Sequence, residues 1–582
     1  MKLIKVLLPR PLKGAIKRQL MFLGLYPDKA DTFGPGSVHR KPYHPDWAAL
    51  LSRDSARWEA ARAAAKNGPS VLLANYFGVD TQSTMVNSLL AVALTLRGAQ
   101  VHFLLCDEAL PACGVAKILN IKPEELVTAG PSRLLCGKCF SPTEKLFQSF
   151  GLPTHRYSEF ISTEELQRAR NLSSDLPITE IREYHLDGVA VGEHALAGAL
   201  RFYVRGNVED EPVGEAVLRR YFNASLLTTF ATRRLLNAFS LRCVCAIDGM
   251  YVPIGTIGEV ARRQKVRVVN WVSAYRKRSF IFSHENAFHH ALLSEPTTHW
   301  ENMTWTPEME VEILDYLKSR WYGTRDWIAY VENPQDDVSV IARKLGVNFS
   351  KPCVGLLTNI VWEGQVHYRG TVFSSMLEWT LETIRYFANR PDLQLIIRVH
   401  PAELRAPELS RQPIIDEIMR TFRTLPRNVF IIPPDSPIST YATMLKCDSV
   451  IIYGTRAGVE LTSLGIPVIV AGEAWIRNKG VALEADSPEE YFRLLDRLPL
   501  EERLSEAVTQ RARKFAYHYF FRRMIPLPFM DPTPGWPPFR LELSTIDDLM
   551  PGRSVGLDVI CDGILNGGEF IYPAELHAEA FD

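Results

Sequence analysis

Gln394-Leu395-Ile396-Ile397-Arg398-Val399-His400-Pro401-Ala402-Glu403 is an apolar run that ends in a polar turn, and its layout returns twice more by residue 480. Ser449-Val450-Ile451-Ile452-Tyr453 ends in Gly454-Thr455-Arg456-Ala457-Gly458-Val459-Glu460, and Gly465-Ile466-Pro467 opens Val468-Ile469-Val470, which closes on Ala471-Gly472-Glu473. Short apolar runs bounded by turn residues and separated by helical patterns read as buried parallel strands of a βαβ unit. Ligands of open α/β sheets bind outside the carboxyl ends of the strands, so the polar residues gathered there are better placed for function than for packing. The reading predicts a site for a phosphorylated small molecule.

Upstream, Cys353-Val354-Gly355-Leu356-Leu357 with Thr358 and Asn359 reads as a fresh strand that opens this α/β set. The first half holds strands at Ser70-Val71-Leu72-Leu73-Ala74, Val101-His102-Phe103-Leu104-Leu105, Cys243-Val244-Cys245-Ala246-Ile247 and Val266-Arg267-Val268-Val269-Asn270-Trp271. A helical pattern through Met85 to Leu94, capped by Gly98, joins the first two as a parallel unit. The expected fold class is α/β, with two Rossmann-like domains facing a cleft. The expected divisions are a basic arm over 1–45, a first domain with a cysteine-rich insertion over 46–345, a second domain over 346–510, and a crossover helix with an irregular tail over 511–582.

Length and composition agree with this layout. A chain of 582 residues exceeds one core. Its 46% apolar and 23% charged residues are ordinary for a globular protein, and a net charge of zero gives no global electrostatic case for nucleic acid. No apolar run reaches the length of about 18 residues that a membrane span needs, and the N-terminus lacks a signal-peptide pattern, which predicts a cytoplasmic protein. Lys2, Lys5, Arg10, Lys13, Lys17 and Arg18 are interleaved with apolar residues and no acidic one. Such an arm suits peripheral contact with an anionic membrane at its inner face, or packing on its own domain.

The turn after Tyr453 carries phosphate chemistry. A glycine-containing turn that enters a helix points backbone N–H groups and the positive helix end at one spot. Thr455 adds a hydroxyl, Arg456 a charge, and Glu460 a carboxylate that can accept from a ribose hydroxyl. His400, with Arg398 and Glu403, would face the same rim.

These residues resemble a known group. Ile397-Arg398-Val399-His400-Pro401-Ala402-Glu403, Asp448, Tyr453-Gly454-Thr455 through Glu460, and Gly465-Ile466-Pro467 are similar to the C-terminal domain of bacterial capsule polysaccharide biosynthesis proteins and related GT-B glycosyltransferases. Leu357-Thr358-Asn359-Ile360-Val361-Trp362-Glu363, Phe373 and Trp379 resemble the opening of that domain. The resemblance spans about residues 350 to 525 and reaches the first half in outline. It implies a nucleotide-sugar donor held by the second domain through Thr358, Asn359, Arg398, His400, Glu403, Thr455, Arg456, Gly458 and Glu460. It also implies an acceptor on the first domain, a growing polysaccharide or lipid-linked glycan, and transfer that needs no metal at the reaction centre. Its rivals are a non-hydrolysing nucleotide-sugar 2-epimerase, a polyol-phosphate transferase, and a silent glycan- or nucleotide-binding subunit.

An inverting transfer needs a general base from the first domain. Asp248, at a strand end before Gly249, is the candidate, with His400 as its catalytic counterpart. Bacterial sialyltransferases are similar in placing an acidic residue before glycine upstream of a His-Pro pair. This chain departs from them in having Ile247 and Gly454-Thr455 where acidic and paired hydroxyl residues stand. His284, His289 and His290, and the basic run Arg276-Lys277-Arg278, are further candidates for the cleft.

Nine cysteines, an odd number, argue for reduced thiols. Cys106, Cys113 and the C-x-x-C of Cys136 and Cys139 supply four thiolates, which predicts a structural zinc; an iron–sulfur cluster takes the same set.

Overall fold

The computed structural model describes residues 43–577 except 76, 119, 132, 332, 363–364, 368–369, 406–408 and 535. The basic arm over 1–45 lies almost wholly outside these residues. Among the described residues two parallel-rich sheets stand in series, the expected pair of Rossmann-like domains.

The first sheet takes β1 (Ser70–Ala74), β2 (Gln100–Leu105), β3 (Thr154–Arg156), β4 (Leu241–Ile247), β5 (Arg267–Ser273) and β6 (Ser279–His284). The second takes β7 (Cys353–Leu357), β8 (Gln394–Arg398), β9 (Val429–Ile432), β10 (Ser449–Ile452), β11 (Val468–Val470) and β12 (Leu483–Glu484). Its order is β12-β11-β10-β7-β8-β9, all parallel, with Leu357 beside Arg398 and Ile452 beside Leu357. Every residue of β7, β8 and β10 is buried, as a parallel sheet covered on both faces requires.

The helix Thr81–Thr95 that links β1 to β2 is buried along almost its whole length: its second half is apolar, and polar residues of its first half such as Ser83 and Asn87 are hydrogen-bonded to Asn75. A linker with the helix Pro307–Arg320 leads from the first domain to the second. The chain then returns. The helix Glu506–Tyr517 continues as a π-turn over His518–Arg522 and delivers β13 (Ile525–Pro526) to the edge of the first sheet, antiparallel to β6.

Two expectations change. The tail is not irregular throughout: after a short hairpin it forms the helix Val555–Asn566, N-capped by Ser554 and ended by Gly567. Arg97 pairs with Asp558, and Arg267 donates to the carbonyls of Ile564 and Leu565, so this helix closes one face of the first sheet. The run around Arg276-Lys277-Arg278 is the turn of an antiparallel β5–β6 hairpin rather than a loop open to the cleft. No helix among the described residues is long and apolar enough to cross a membrane.

Candidate active site at the inter-domain cleft

The carboxyl ends of both sheets face one cavity of about 580 Å³. Asp248, which follows β4, and Tyr275, which follows β5, line it from the first domain. Thr358, Asn359, His400, Thr455 and Arg456 line it from the second, and Arg320 from the linker.

The strand-end turns hold one another. The Thr358 hydroxyl accepts the His400 N–H at 3.0 Å, and Asn359 Oδ1 accepts the Gly454 N–H at 3.2 Å, which brings three turns onto one rim. The His400 ring is oriented by Ala402, whose N–H donates to Nδ1 at 3.1 Å. Nδ1 therefore carries no proton, and in the neutral ring Nε2 is the donor. Burial, with the nearby charges of Arg456 and Arg398, pushes the ring's pKa down to about 3. His400 is thus a fixed neutral hydrogen-bond donor rather than an acid or base near pH 7.

Arg456 lies 3.5 Å from the centroid of the Tyr275 ring, a cation–π contact that joins the two domains. Glu460 accepts two hydrogen bonds, Oε1 from Arg320 Nε at 3.1 Å and Oε2 from the Tyr441 hydroxyl, and Arg456 Nε lies 3.9 Å from Oε1. Arg320 also pairs with Asp326, whose other oxygen accepts from Tyr316 at 2.8 Å. The carboxylate expected to meet a ribose is the centre of a buried ion network at the cavity wall. Trp321 stacks on Tyr441 with ring centroids 5.6 Å apart, and Trp536 of the tail stands 42% exposed at the cavity.

On the first-domain side Asp248 has φ +66°, a conformation uncommon for a residue with a side chain. Its N–H donates to Trp271 O at 2.9 Å, and the carboxylate interacts with Asp80, the residue before the helix Thr81–Thr95. Burial, reinforced by Asp248, raises the Asp80 carboxyl to about 7.

No family model matches this chain, and no curated protein matches it. Solved structures do. Thermosulfurimonas dismutans KpsC, beta Kdo 2,4 transferase, is similar at 14% identity over 53% of this chain and 87% of that one, with a TM-score of 0.32. The UDP-GlcNAc 2-epimerase from Neisseria meningitidis bound to UDP-GlcNAc is similar at 12% identity over 53% and 77%, with a TM-score of 0.23. The spinosyn rhamnosyltransferase SpnG complexed with spinosyn aglycone is similar at 12% identity over 77% and 95%, also with a TM-score of 0.23.

Several expected site residues lie elsewhere. Glu403 is 1% exposed and does not line the cavity; it accepts the Ile414 N–H at 3.3 Å and so caps the helix Ile414–Thr421. Burial holds its carboxyl up at about 7. Gly458 faces the core: a Cβ there would lie 2.7 Å from both Ile452 Cδ1 and Ile476 Cδ1, so helix packing demands the glycine, not phosphate approach. Arg398 reaches the wall but spends its guanidinium on Pro433 O at 2.6 Å and Thr440 Oγ1 at 3.2 Å.

Arg276 is buried against Phe521 and donates to Phe520 O, Lys277 donates to Thr324 O, and Arg278 pairs with Asp531. The basic run pins the linker and tail. His284 bonds Gly568 O, whereas His289, which lines the cavity as expected, and His290 meet Glu473 of the second domain at 3.4 and 3.6 Å.

The zinc and iron–sulfur expectation is corrected. Cys136 and Cys139 sit one turn apart inside the helix Arg133–Ser149, not on a knuckle, and Cys139 Sγ accepts the Gly78 N–H at 3.1 Å. The four thiols share a corner, yet among the described residues no three His, Cys, Asp or Glu side chains are placed to hold a metal ion. Asp80, Arg320, Tyr441 and His367 were not singled out in the sequence, because each acts through a contact remote along the chain.

Proposed function

We propose that the protein is a GT-B type glycosyltransferase, moving a sugar from a nucleotide-sugar donor to a glycan acceptor of cell-surface polysaccharide or lipid-linked type. The observation that carries this reading is the orientation of His400. Its Nδ1 is committed to Ala402, which leaves the Nε2 proton for the cavity it lines, beside the Arg456 charge and the Thr455 turn. A neutral donor and a guanidinium suit the oxygens of a departing nucleotide phosphate, whose negative charge grows as the sugar leaves.

Asp248 lines the same cavity from the facing domain. In the proposed step the acceptor hydroxyl gives its proton to the Asp248 carboxylate, and its oxygen bonds the anomeric carbon. The bond from that carbon to the phosphate oxygen breaks, and the electron pair goes to the phosphate. Charge leaves one wall and arrives at the other.

A thermal-shift panel of nucleoside mono- and diphosphates tests donor binding, since a ligand of the folded state raises the midpoint. The matching nucleotide-sugar, supplied with and without a glycan acceptor, then tests transfer. Turnover that requires the acceptor and is lost in Asp248→Asn supports the reading. Turnover without acceptor assigns an epimerase instead, and no response to any nucleotide sinks both.

A further inference from the structure

The loop that carries Asp248 is held from both domains at one atom. Met250 O, two residues beyond Asp248, is met by His194 Nδ1 of the first domain at 3.2 Å and by His367 Nε2 of the second at 2.9 Å. The other nitrogen of each ring also reaches a carboxylate: His194 Nε2 meets Glu259 at 2.9 Å, and His367 Nδ1 meets Glu193 at 2.7 Å. His367 ends the 3-10 turn Gln365–His367, which lies between β7 and the helix Met376–Ala388 of the second domain.

We propose that His367 is a positioning residue that carries closure of the two domains to the Asp248 loop. It does not line the cavity, is 8% exposed, and is the second-domain side chain that bonds this loop through Met250. The loop depends on such support. Asp248 at φ +66° and Gly249 at φ +88° form a left-handed pair, and a backbone of that kind persists when its surroundings over-determine it. Within the first domain the Asp248 N–H is held by Trp271 O and the Gly249 N–H by Ile247 O, which fixes the start of the loop. Met250 O fixes its end, and half of that hold comes from the other domain.

His194 and His367 therefore have separate duties. The His194 bonds exist whether or not the domains are together, because Glu259 and Met250 are both in the first domain. The His367 bonds exist only when the second domain is docked. An acceptor-side carboxylate that reaches its working orientation only after docking delays proton abstraction until the donor face is present. A misplacement of about 1 Å at such a group costs on the order of 100-fold in rate.

This inference rests on the reading of Asp248 as the base, and the test separates the two. His367→Ala, His367→Gln and Glu193→Gln are compared with the parent protein for nucleotide affinity, kcat, and hydrogen exchange of the segment 247–253 with nucleotide bound. The expected result for His367→Ala is an unchanged nucleotide Kd, kcat down about 10- to 100-fold, and faster exchange across 247–253. His367→Gln, which keeps one amide donor for Met250 O, recovers part of the loss. An unchanged kcat with unchanged exchange overturns the proposal. Loss of nucleotide affinity in parallel with kcat in both the Ala and Gln variants also overturns it, since that marks a packing role. The exchange readout holds whatever the reaction is. If Asp248→Asn keeps full turnover, the base assignment fails even where exchange responds to His367.

Discussion

Arg320 Nε and Glu460 Oε1 meet at 3.1 Å with both side chains 2% exposed, joining the last turn of the linker helix to the first turn of the helix after β10. Replacing one member of a buried ion pair leaves the other charged and unpaired, at a cost of about 3 to 5 kcal/mol. Arg320→Ala removes the nearest cation from both Glu460 and Asp326, leaving Glu460 only the longer contact with Arg456 at 3.9 Å, so its urea-unfolding midpoint is expected to fall well below that of Glu460→Gln, which keeps an acceptor for Tyr441. Equal, small shifts in the two variants would show that the network adds little.

His400, held near a pKa of about 3 by burial and the adjacent arginines, stays neutral through the working range. The pH–rate profile should therefore carry no limb that disappears in His400→Ala, while loss of the donor in that variant lowers kcat on the order of 100-fold. The same shift fixes a sign for stability. Between pH about 3 and the ordinary imidazole range near 6.5 the unfolded chain binds the proton and the folded one does not, so stability falls as pH falls through that window. His400→Gln should flatten this slope in melting curves recorded from pH 7 down to 4.

Glu403 gives the opposite sign. Its folded pKa of about 7 lies above the ordinary value of 4.5, so between these values the folded state binds more protons and stability falls as pH rises. Glu403→Gln keeps an acceptor for the Ile414 N–H without the buried charge. It is expected to raise the melting midpoint at pH 8 more than at pH 5 and to leave turnover intact. A loss of turnover would return Glu403 to the site.

The cysteine corner makes a compositional prediction. Cys139→Ala removes a buried acceptor of the Gly78 N–H and is expected to cost about 1 to 3 kcal/mol, whereas the half-buried Cys136→Ala costs less. Four equal ligands of one zinc would lose stability together, and elemental analysis would find one zinc per chain. Unequal variants with no bound zinc are the expected result.

Where the sequence was legible, strong local signals coincide with the structure. The apolar runs before Thr358, His400 and Gly454 are buried strands, and their turns converge because parallel neighbours end on the same edge. Illegible features fall in two kinds. Glu403 and Gly458 look the same in sequence whether they serve a ligand or a helix end, and only burial distinguishes the roles. The Arg320–Glu460 pair and the His367 bonds to Glu193 and Met250 each span more than 100 residues, and periodicity carries no trace of that. The tail helix Val555–Asn566 was readable after all, since Ser554 and Gly567 mark its ends; the prolines before it concealed it.

The return strand β13 has a consequence for the cleft. Because β6 precedes the second domain and β13 follows it in the same sheet, that domain is anchored to its neighbour through two chain crossings rather than one. A twice-anchored body keeps few relative orientations, so bringing it home costs less entropy than for a domain on a single leash. It also means that cutting the chain between residues 346 and 510 would not release the second sheet from the first. The protein should survive such a nick as one particle, its two sheets still joined by the chain on either side of the cut.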